Sequence, residues 1–394
     1  MAYAAVATPY ATPDSLKQKL WDNTLADESA TGDLFSENSG IYDDKVKTIP
    51  DSVVMKVSGE ATSKTLGMLN RLSGAGQQGA AGELRGNEEA QTTRDLEIFA
   101  NEWFHGVPTD KYGLGKVKQN PYAIYKMAQP QLSLWAKETR GLRMRQALIQ
   151  RIDKPQFDTV VNKGLELPTV IHPNFAFAGN DPIAFSETAA TYQTAIVAGI
   201  PAATKLDIAA LNKIEELAAT RFELEQVTVN GNLCWVLTIP SRQKAFLRAP
   251  GVGTYIELLK DGDVRGENNR AISNVLGKYG NLVLVEDARF PIMTNTTGTL
   301  SFQYKGAGRS DDRTLAAAAT RLDLGMLLGK GSLIDYEVES LHFEDEVQNY
   351  NRNWGLGAFT TQGYTRADYV ATSSASPQTS RRNQSSAIIA FKQS

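Results

Sequence analysis

"LSGAGQQGAAGELRGNEEA", residues 72–90, spaces Gly74, Gly76 and Gly79 as G-x-G-x-x-G. In a dinucleotide-binding unit that loop follows a buried strand and opens a helix whose N-terminal N–H groups meet the pyrophosphate. Neither flank fits. The preceding "SGEATSKTLGMLNRL" is not an apolar run, and the following "AAGELRGNEEAQTT" carries Gly82 and Gly86, so no helix starts at once. No Lys-Ser/Thr pair follows, which excludes a P-loop. The remaining reading is conformational. Five glycines in one connection make a tip able to adapt to a partner, because glycine reaches positive φ without a Cβ clash. Arg71, Glu83, Arg85, Glu88 and Glu89 offer charges of both signs for pairing across a seam. A nucleotide-dependent enzyme built on Gly74–Gly79 stands as the rival.

The flanks define what the tip belongs to. "SVVMKVS" (52–58) and "TTRDLEIFANEWFHGV" (92–107) read as two strands of a long protruding hairpin covering residues 51–107. A connection of this length inside a compact domain is usually functional. Residues 1–50 are polar and irregular, an arm with one short helix at Asp14–Leu25 and little to bury against itself. Residues 121–153 carry the strongest helical signal. Ile124, Met127, Leu134, Trp135, Leu142, Ile149 and Ile152 recur at steps of three, four and seven. Pro121 suits a first helical position, and Pro130 predicts a break or kink, with the straight part running from Gln131.

Residues 170–202 read as mixed loop. A helix follows in "TKLDIAALNKIEELAATRF" (204–222), with Thr204 and Asp207 as a capping-box-like start. "VTVNGNLCWVLTIP" (227–240) is a hairpin turning at Asn230-Gly231, and "NLVLVEDARFP" (281–291) is strand-like. An alanine- and leucine-rich helix is expected at Arg313–Leu328, ending near Gly329 and Gly331. The last third alternates strand and turn: "SLIDYEVESLHFEDEVQ", "NWGLGAFTTQGYT", a Ser/Thr/Gln-rich tail and a final "SAIIAFK". No internal repeat is visible.

Composition narrows the function. The 394 residues suffice for two or three packed regions, and 42% hydrophobic content is ordinary for a globular chain. No run approaches the ~18 apolar residues of a membrane helix, and the N-terminus lacks the pattern of a secretory leader. Cys234 is the only cysteine, so no intrachain disulfide forms, and it reads as a small buried hydrophobe. A net charge of −3 argues against a free nucleic-acid reader. His105, His172 and His342 lie far apart, so no histidine-rich metal site is built. The acidic run Asp335, Glu337, Glu339, His342, Glu344, Asp345 and Glu346 admits a hard-cation site. The favoured reading is a solvated or interface face of a strand with a phase slip near Ser340. Arg140, Arg143, Arg145 and Arg151, with Lys154, place a basic cluster on the long helix, suited to phosphates, or else forming a solvated helix face or pairing with acids of a neighbour. No nucleophile with a base, cofactor loop or metal-ligand cluster emerges; the expectation is a protein that is not an enzyme and holds no cofactor.

Four stretches then carry a resemblance: "RLSGAGQQGAAGELRGNEEA", "VTVNGNLCWVLTIPSRQKAFLR", "RGENNRAISNVLGKYGNLVLVEDARFP" and "NWGLGAFTTQGYTRADYV". Together, in this order over roughly residues 70–370, they resemble the major capsid proteins of tailed bacteriophages, in the group of the coat protein of the coliphage N-four. The glycine-rich stretch with "GNEEA" is the most specific of them; the arm adds no match. The resemblance implies an α+β, HK97-type capsid fold. It implies an N-terminal arm at 1–50, an extended β-hairpin loop at 51–107 reaching over an adjacent subunit, and a peripheral domain with a spine helix at 108–169. An axial domain then fills most of 170–330, and 331–394 supplies the return strands of the peripheral domain and the tail. The implied function is self-assembly into an icosahedral shell enclosing double-stranded DNA, in the virion after assembly in the bacterial host cytoplasm. Implied partners are many copies of the chain as hexamers and pentamers, packaged DNA contacted non-specifically, portal, scaffold and decoration proteins, and no membrane. Arg140, Arg143, Arg145 and Arg151 are implied to face the lumen or a subunit seam. An encapsulin-like compartment shell is the alternative within the same fold.

Overall fold

The computed structural model describes residues 53–69, 93–110, 121–151, 170–185, 189–229, 232–247, 275–296, 298–303, 320–348, 353–368, 370–371 and 383–392. The expected arm with its Asp14–Leu25 helix, and the glycine-rich stretch 72–90, lie outside the described residues. In chain order, strands β1 (Val54–Ser58), β2 (Ser63–Leu69), β3 (Thr93–Phe99) and β4 (Asn101–Asp110) precede helix α1 (Pro121–Ile149). Short strands β5 (Gln150–Arg151), β6 (Val170–Ile171) and β7 (Phe175–Phe177) lead to helices α2 (Ala189–Ala198) and α3 (Ile208–Thr220). Then come β8 (Val227–Val229), β9 (Asn232–Ile239), helix α4 (Ser241–Leu247), β10 (Val275–Tyr279), β11 (Leu282–Glu286), β12 (Ile292–Thr296) and β13 (Thr299–Gln303). The chain closes with β14 (Thr320–Leu328), β15 (Leu333–Gln348), β16 (Asn353–Arg366), β17 (Val370–Ala371) and β18 (Ser386–Lys392).

Two sheets share one helix. The first has order β1-β15-β16-β4. The N-terminal half of α1 lies on one of its faces, where Ala128 and Leu132 pack on Phe343, Leu356 and Ala358. The second sheet runs β10-β11-β9-β14-β12-β13, with β18 beside β14, β7 beside β18 and β8 beside β9. The C-terminal half of α1 packs there: Leu142, Met144 and Leu148 join Phe175, Tyr192, Ile196, Val236, Leu324 and Met326 in one core. On the opposite face, α3 packs Leu211, Ile214 and Leu217 against Trp235, Leu237, Leu282 and Leu284. A 29-residue helix is about 43 Å long at ~1.5 Å per residue, enough to reach across both sheets.

Several sequence expectations change. Pro130 does not break α1, which is helical throughout Pro121–Ile149. Pro130 sits on an exposed position between buried Ala128 and Leu132, so packing on either side holds the helix despite the lost N–H. Leu134, assigned to the buried stripe, is exposed; Leu132 and Ala136 take that face. The helix expected at Arg313–Leu328 is instead strand β14 over 320–328. It pairs with β18 along one edge and with β9 and β12 along the other. Residues 322–328 alternate Leu322, Leu324, Met326 and Leu328 with Asp323, Gly325 and Leu327, a period of two that the four alanines at 316–319 and the Leu327-Leu328 pair obscure in the sequence. The 170–202 stretch holds β7 and α2 where loop was expected. Thr204 does not cap α3. Its backbone and hydroxyl pair with Lys392, while Asp207 Oδ1 accepts the Ala210 N–H at 2.7 Å.

The hairpin differs in its first arm. "SVVMKVS" supplies β1, which pairs in parallel with β15 and so cannot be a hairpin strand. β2 takes that place, antiparallel to β3 from Ser63↔Phe99 to Leu69↔Thr93. β4 then leaves the hairpin and pairs with β16. Gly363 on β16 lies under this corner; a Cβ there would meet Phe99 O at 2.1 Å, so only glycine fits. β8 and β9 pair antiparallel up to Val229↔Asn232 as the expected hairpin requires, the two turn residues 230–231 lying outside the described residues, and Cys234 is buried. β15 carries register shifts between Glu337 and His342, matching the phase slip expected near Ser340. The final "SAIIAFK" joins the second sheet as β18, not the first.

Candidate assembly surfaces

The β2–β3 hairpin stands on a small core. Leu96 and Ile98 on β3 are buried with Ile334, Tyr336 and Ala367, and β17 pairs along the far side of β3. Alternate residues of one strand face opposite ways, so Leu96 and Ile98 root the hairpin while Glu97 between them is exposed. β2 is the outer strand of this three-stranded unit, and β1 and β4 are the outer strands of the first sheet. Strand edges present unpaired N–H and C=O groups, the chemistry by which sheets from separate chains join. The predicted contact residues Arg71, Gly74, Gly76, Gly79, Glu83, Arg85, Glu88 and Glu89 all lie outside the described residues, beyond the end of this hairpin.

The first sheet also shows a surface that sequence reasoning missed. Phe104 on β4 is 64% exposed and stacks on Phe359 of β16, centroids 5.9 Å apart. Phe359 in turn lies 6.1 Å from the ring of His342 on β15. These rings alternate with Trp103, Ala358 and Phe343, so they occupy the face away from α1. His342 donates from Nδ1 to Ser340 O at 3.0 Å, and its Nε2 lies 3.5 Å from Glu344 and 3.8 Å from Glu339. Burial pulls its pKa down, but the Ser340 carbonyl and both carboxylates outweigh that and hold it above the ordinary value. Cross-strand registration brought these residues together, and spacing along one strand carries no trace of it.

The basic helix is placed differently from the expectation. Arg140 and Arg145 do not form a solvated face: they are 8% and 2% exposed and pair within the chain. Arg140 Nη2 donates to Asp335 Oδ2 of β15 at 3.0 Å. Arg145 donates from Nε and Nη2 to both oxygens of Asp287, at 2.8 and 3.1 Å, just beyond β11. The Arg143 guanidinium lies over the Trp103 ring. Arg151 is in β5, and its side chain is outside the described residues. α1 is thus bolted to the first sheet through Arg140 and to the second through Arg145. A lone arginine left buried is strongly unfavourable, so the acids Asp335 and Asp287 are what permit cations there.

A second polar network closes the C-terminal strand. Arg366 donates to Asp368 at 2.5 Å and to the last carbonyl of α1, Ile149 O, at 2.7 Å. Asn383 donates to Asp368 at 2.7 Å and accepts the N–H groups of Ser385 and Ser386. His172 Nε2 lies 2.9 Å from Ser386 Oγ, and the Tyr192 hydroxyl donates to His172 O. This network fastens α1, β16 and β18 at one point. Among the described residues no group of three or more His, Cys, Asp or Glu side chains comes together to hold a metal ion, and no helix is long and apolar enough to cross a membrane.

These features define a subunit with a long helix braced against two sheets, a projecting hairpin and open strand edges. That is the HK97-type capsid fold, and it is shared over nearly the whole chain with solved phage capsids. The capsid of Ralstonia phage GP4 matches with a TM-score of 0.60 at 13% identity, over 89% of this chain and 90% of that one. The acid-stable capsid of Helicobacter pylori bacteriophage KHP30 matches with a TM-score of 0.56 at 12% identity, over 89% and 90%. The capsid of cyanophage Pam1 gives 0.54 at 12% identity, over 84% and 85%. No protein-family model and no curated protein matches the chain by sequence.

Proposed function

We propose that this chain is a major capsid protein that assembles with many copies of itself into an icosahedral shell enclosing double-stranded DNA. The observation that carries the reading is the pairing of a rigid braced body with a hairpin and strand edges, in a fold common to phage capsids across about 90% of both chains. Each edge or hairpin contact is modest alone; closing a lattice makes them act together. In this reading 1–50 is the arm, the hairpin within 51–107 is the extended loop, and α1 is the spine helix. The four-stranded sheet forms the peripheral domain, and residues 170–330 form most of the axial domain, with β18 returning to it. Residues 72–90 contact a neighbouring subunit. Hexamers and pentamers, a portal, a scaffold and decoration proteins belong to the same proposal, as do a place in the virion, assembly in the host cytoplasm and kinship with the N-four group. The chain acts mechanically, with no catalytic step. The test is to express it and image the product, then assay nuclease-protected DNA in particles from infected cells. Closed shells holding DNA support the proposal. Shells holding an enzyme cargo identify a compartment instead, and dispersed subunits at high concentration refute assembly.

A further inference from the structure

His342 stands where β15 departs from regular pairing, with register shifts on either side of Glu339. Both of its ring nitrogens face acceptor oxygens. Nδ1 lies 3.0 Å from the Ser340 carbonyl, which can only accept, and Nε2 lies 3.5 Å from a Glu344 oxygen and 3.8 Å from a Glu339 oxygen. Only the imidazolium carries a donor at both positions. A neutral ring that keeps the Ser340 bond turns the bare lone pair of Nε2 toward two carboxylates. The two acids are held differently. Glu339 accepts the Thr361 hydroxyl at Oε2 and the Thr360 hydroxyl at its backbone carbonyl, which ties it to β16. The Glu344 carboxylate has the His342 ring as its one polar partner among the described residues. The imidazole lies beside Phe359, which fills the space over Gly357: a Cβ there would meet the Phe359 ring at 2.5 Å. The other strands bring no cation to the ring. β16 contributes Phe359 and Thr361, and β4 contributes Phe104 and, opposite Thr361, Glu102. The one charged residue of β1, Lys56, lies opposite Asp335, before the register shifts, and α1 covers the other face.

We propose that His342 is a proton-operated clasp: its imidazolium joins Glu339 to Glu344 across the irregular stretch of β15, and loss of the Nε2 proton loosens residues 339–344. Without the cation the two carboxylates repel each other and the lone pair, and Glu344 has nothing else to hold it. The direction with pH follows. Burial pulls the ring down, but Ser340, Glu339 and Glu344 together hold it above its ordinary value. The contribution is therefore complete below ~6.5 and is lost as pH rises through the folded-state value. The clasp does not depend on the capsid reading.

The experiment uses dispersed full-length protein labelled with carbon-13 in its histidine rings. The chain has three histidines, so His342→Gln removes one of three NMR signals and assigns it. In wild type that signal should titrate with a midpoint above ~6.5, and Glu344→Gln should lower the midpoint. Hydrogen exchange is then read by mass spectrometry about one pH unit either side of the midpoint, corrected for the intrinsic effect of pH on exchange. Residues 339–344 should lose protection about two- to tenfold on the alkaline side, the range of one hydrogen bond. His342→Gln should show no such difference, and β9 should show none in either protein. If His342→Gln does not fold, Glu344→Gln, altered at an exposed side chain, takes its place and should show a smaller loss than wild type. A midpoint at or below ~6.5, an unchanged midpoint in Glu344→Gln, or the same loss of protection in wild type and variant overturns the proposal.

Discussion

Acidification should weaken the subunit through one buried ring. His172 is fully buried; its Nδ1 accepts the Asn174 N–H at 3.0 Å, which leaves the proton on Nε2, facing Ser386 Oγ at 2.9 Å. Burial and the Arg366 guanidinium lower its pKa to about 3, against the upward pull of Asp368. In the unfolded chain the same ring titrates near ~6.5. Between those values the unfolded state binds one more proton, so stability rises with pH across the window and is lost as pH falls below about 6.5. Above about 6.5 the ring is neutral in both states and adds no dependence. Going from 6.5 to 5 is about 1.5 pH units at ~1.4 kcal/mol each, so the folded state should lose about 2 kcal/mol by pH 5. Urea unfolding of dispersed subunits at pH 8 and pH 5, for wild type and His172→Asn, isolates this contribution. The variant should be weaker at pH 8, having lost the Ser386 contact, but its further loss at pH 5 should be about 2 kcal/mol smaller. Equal losses in both proteins would refute the reasoning.

Four further outcomes follow from named contacts and segments. Arg145→Ala leaves Asp287 buried without its two-pronged partner and should destabilise the subunit by about 3–5 kcal/mol, read by denaturant unfolding; a loss under about 1 kcal/mol would show that the pair does not brace α1. Deleting residues 1–45 should leave soluble folded subunits and abolish normal particle yield, and normal particles from the truncated chain would sink that assignment. Replacing Gly74, Gly76 and Gly79 with alanine should preserve the subunit's circular-dichroism spectrum while impairing assembly or shell expansion. Reversing Glu88 and Glu89 to lysine should weaken particles more at low salt than at high salt, since screening mutes exposed pairs; salt-independent particle stability would contradict it.

The local elements with strong periodicity were legible in the sequence. α1, α3 and the β8–β9 hairpin follow from apolar spacing and an Asn-Gly turn. What escaped was set by tertiary partners. β14 looks helical because the alanine run at 316–319 before it and the Leu327-Leu328 pair hide its period of two, and only its pairing in the middle of a sheet shows the strand. β1 and β2 exchanged roles because pairing in parallel with β15 is decided almost 280 residues downstream, by register and not by local pattern. Arg140 and Arg145 read as a surface cluster, since helical arginines usually are solvated; only the fold shows Asp335 and Asp287 waiting beneath them. The Phe104–Phe359–His342 ladder joins three strands and is invisible along any one of them.

The most direct test of the central claim is cryo-electron microscopy of the full chain, expressed and concentrated, at a resolution that traces the hairpin. The account predicts closed shells in which residues 72–90 of each copy lie against a neighbouring subunit. Dispersed subunits at every concentration, or a shell in which residues 72–90 fold back on their own subunit and touch no neighbour, would contradict it.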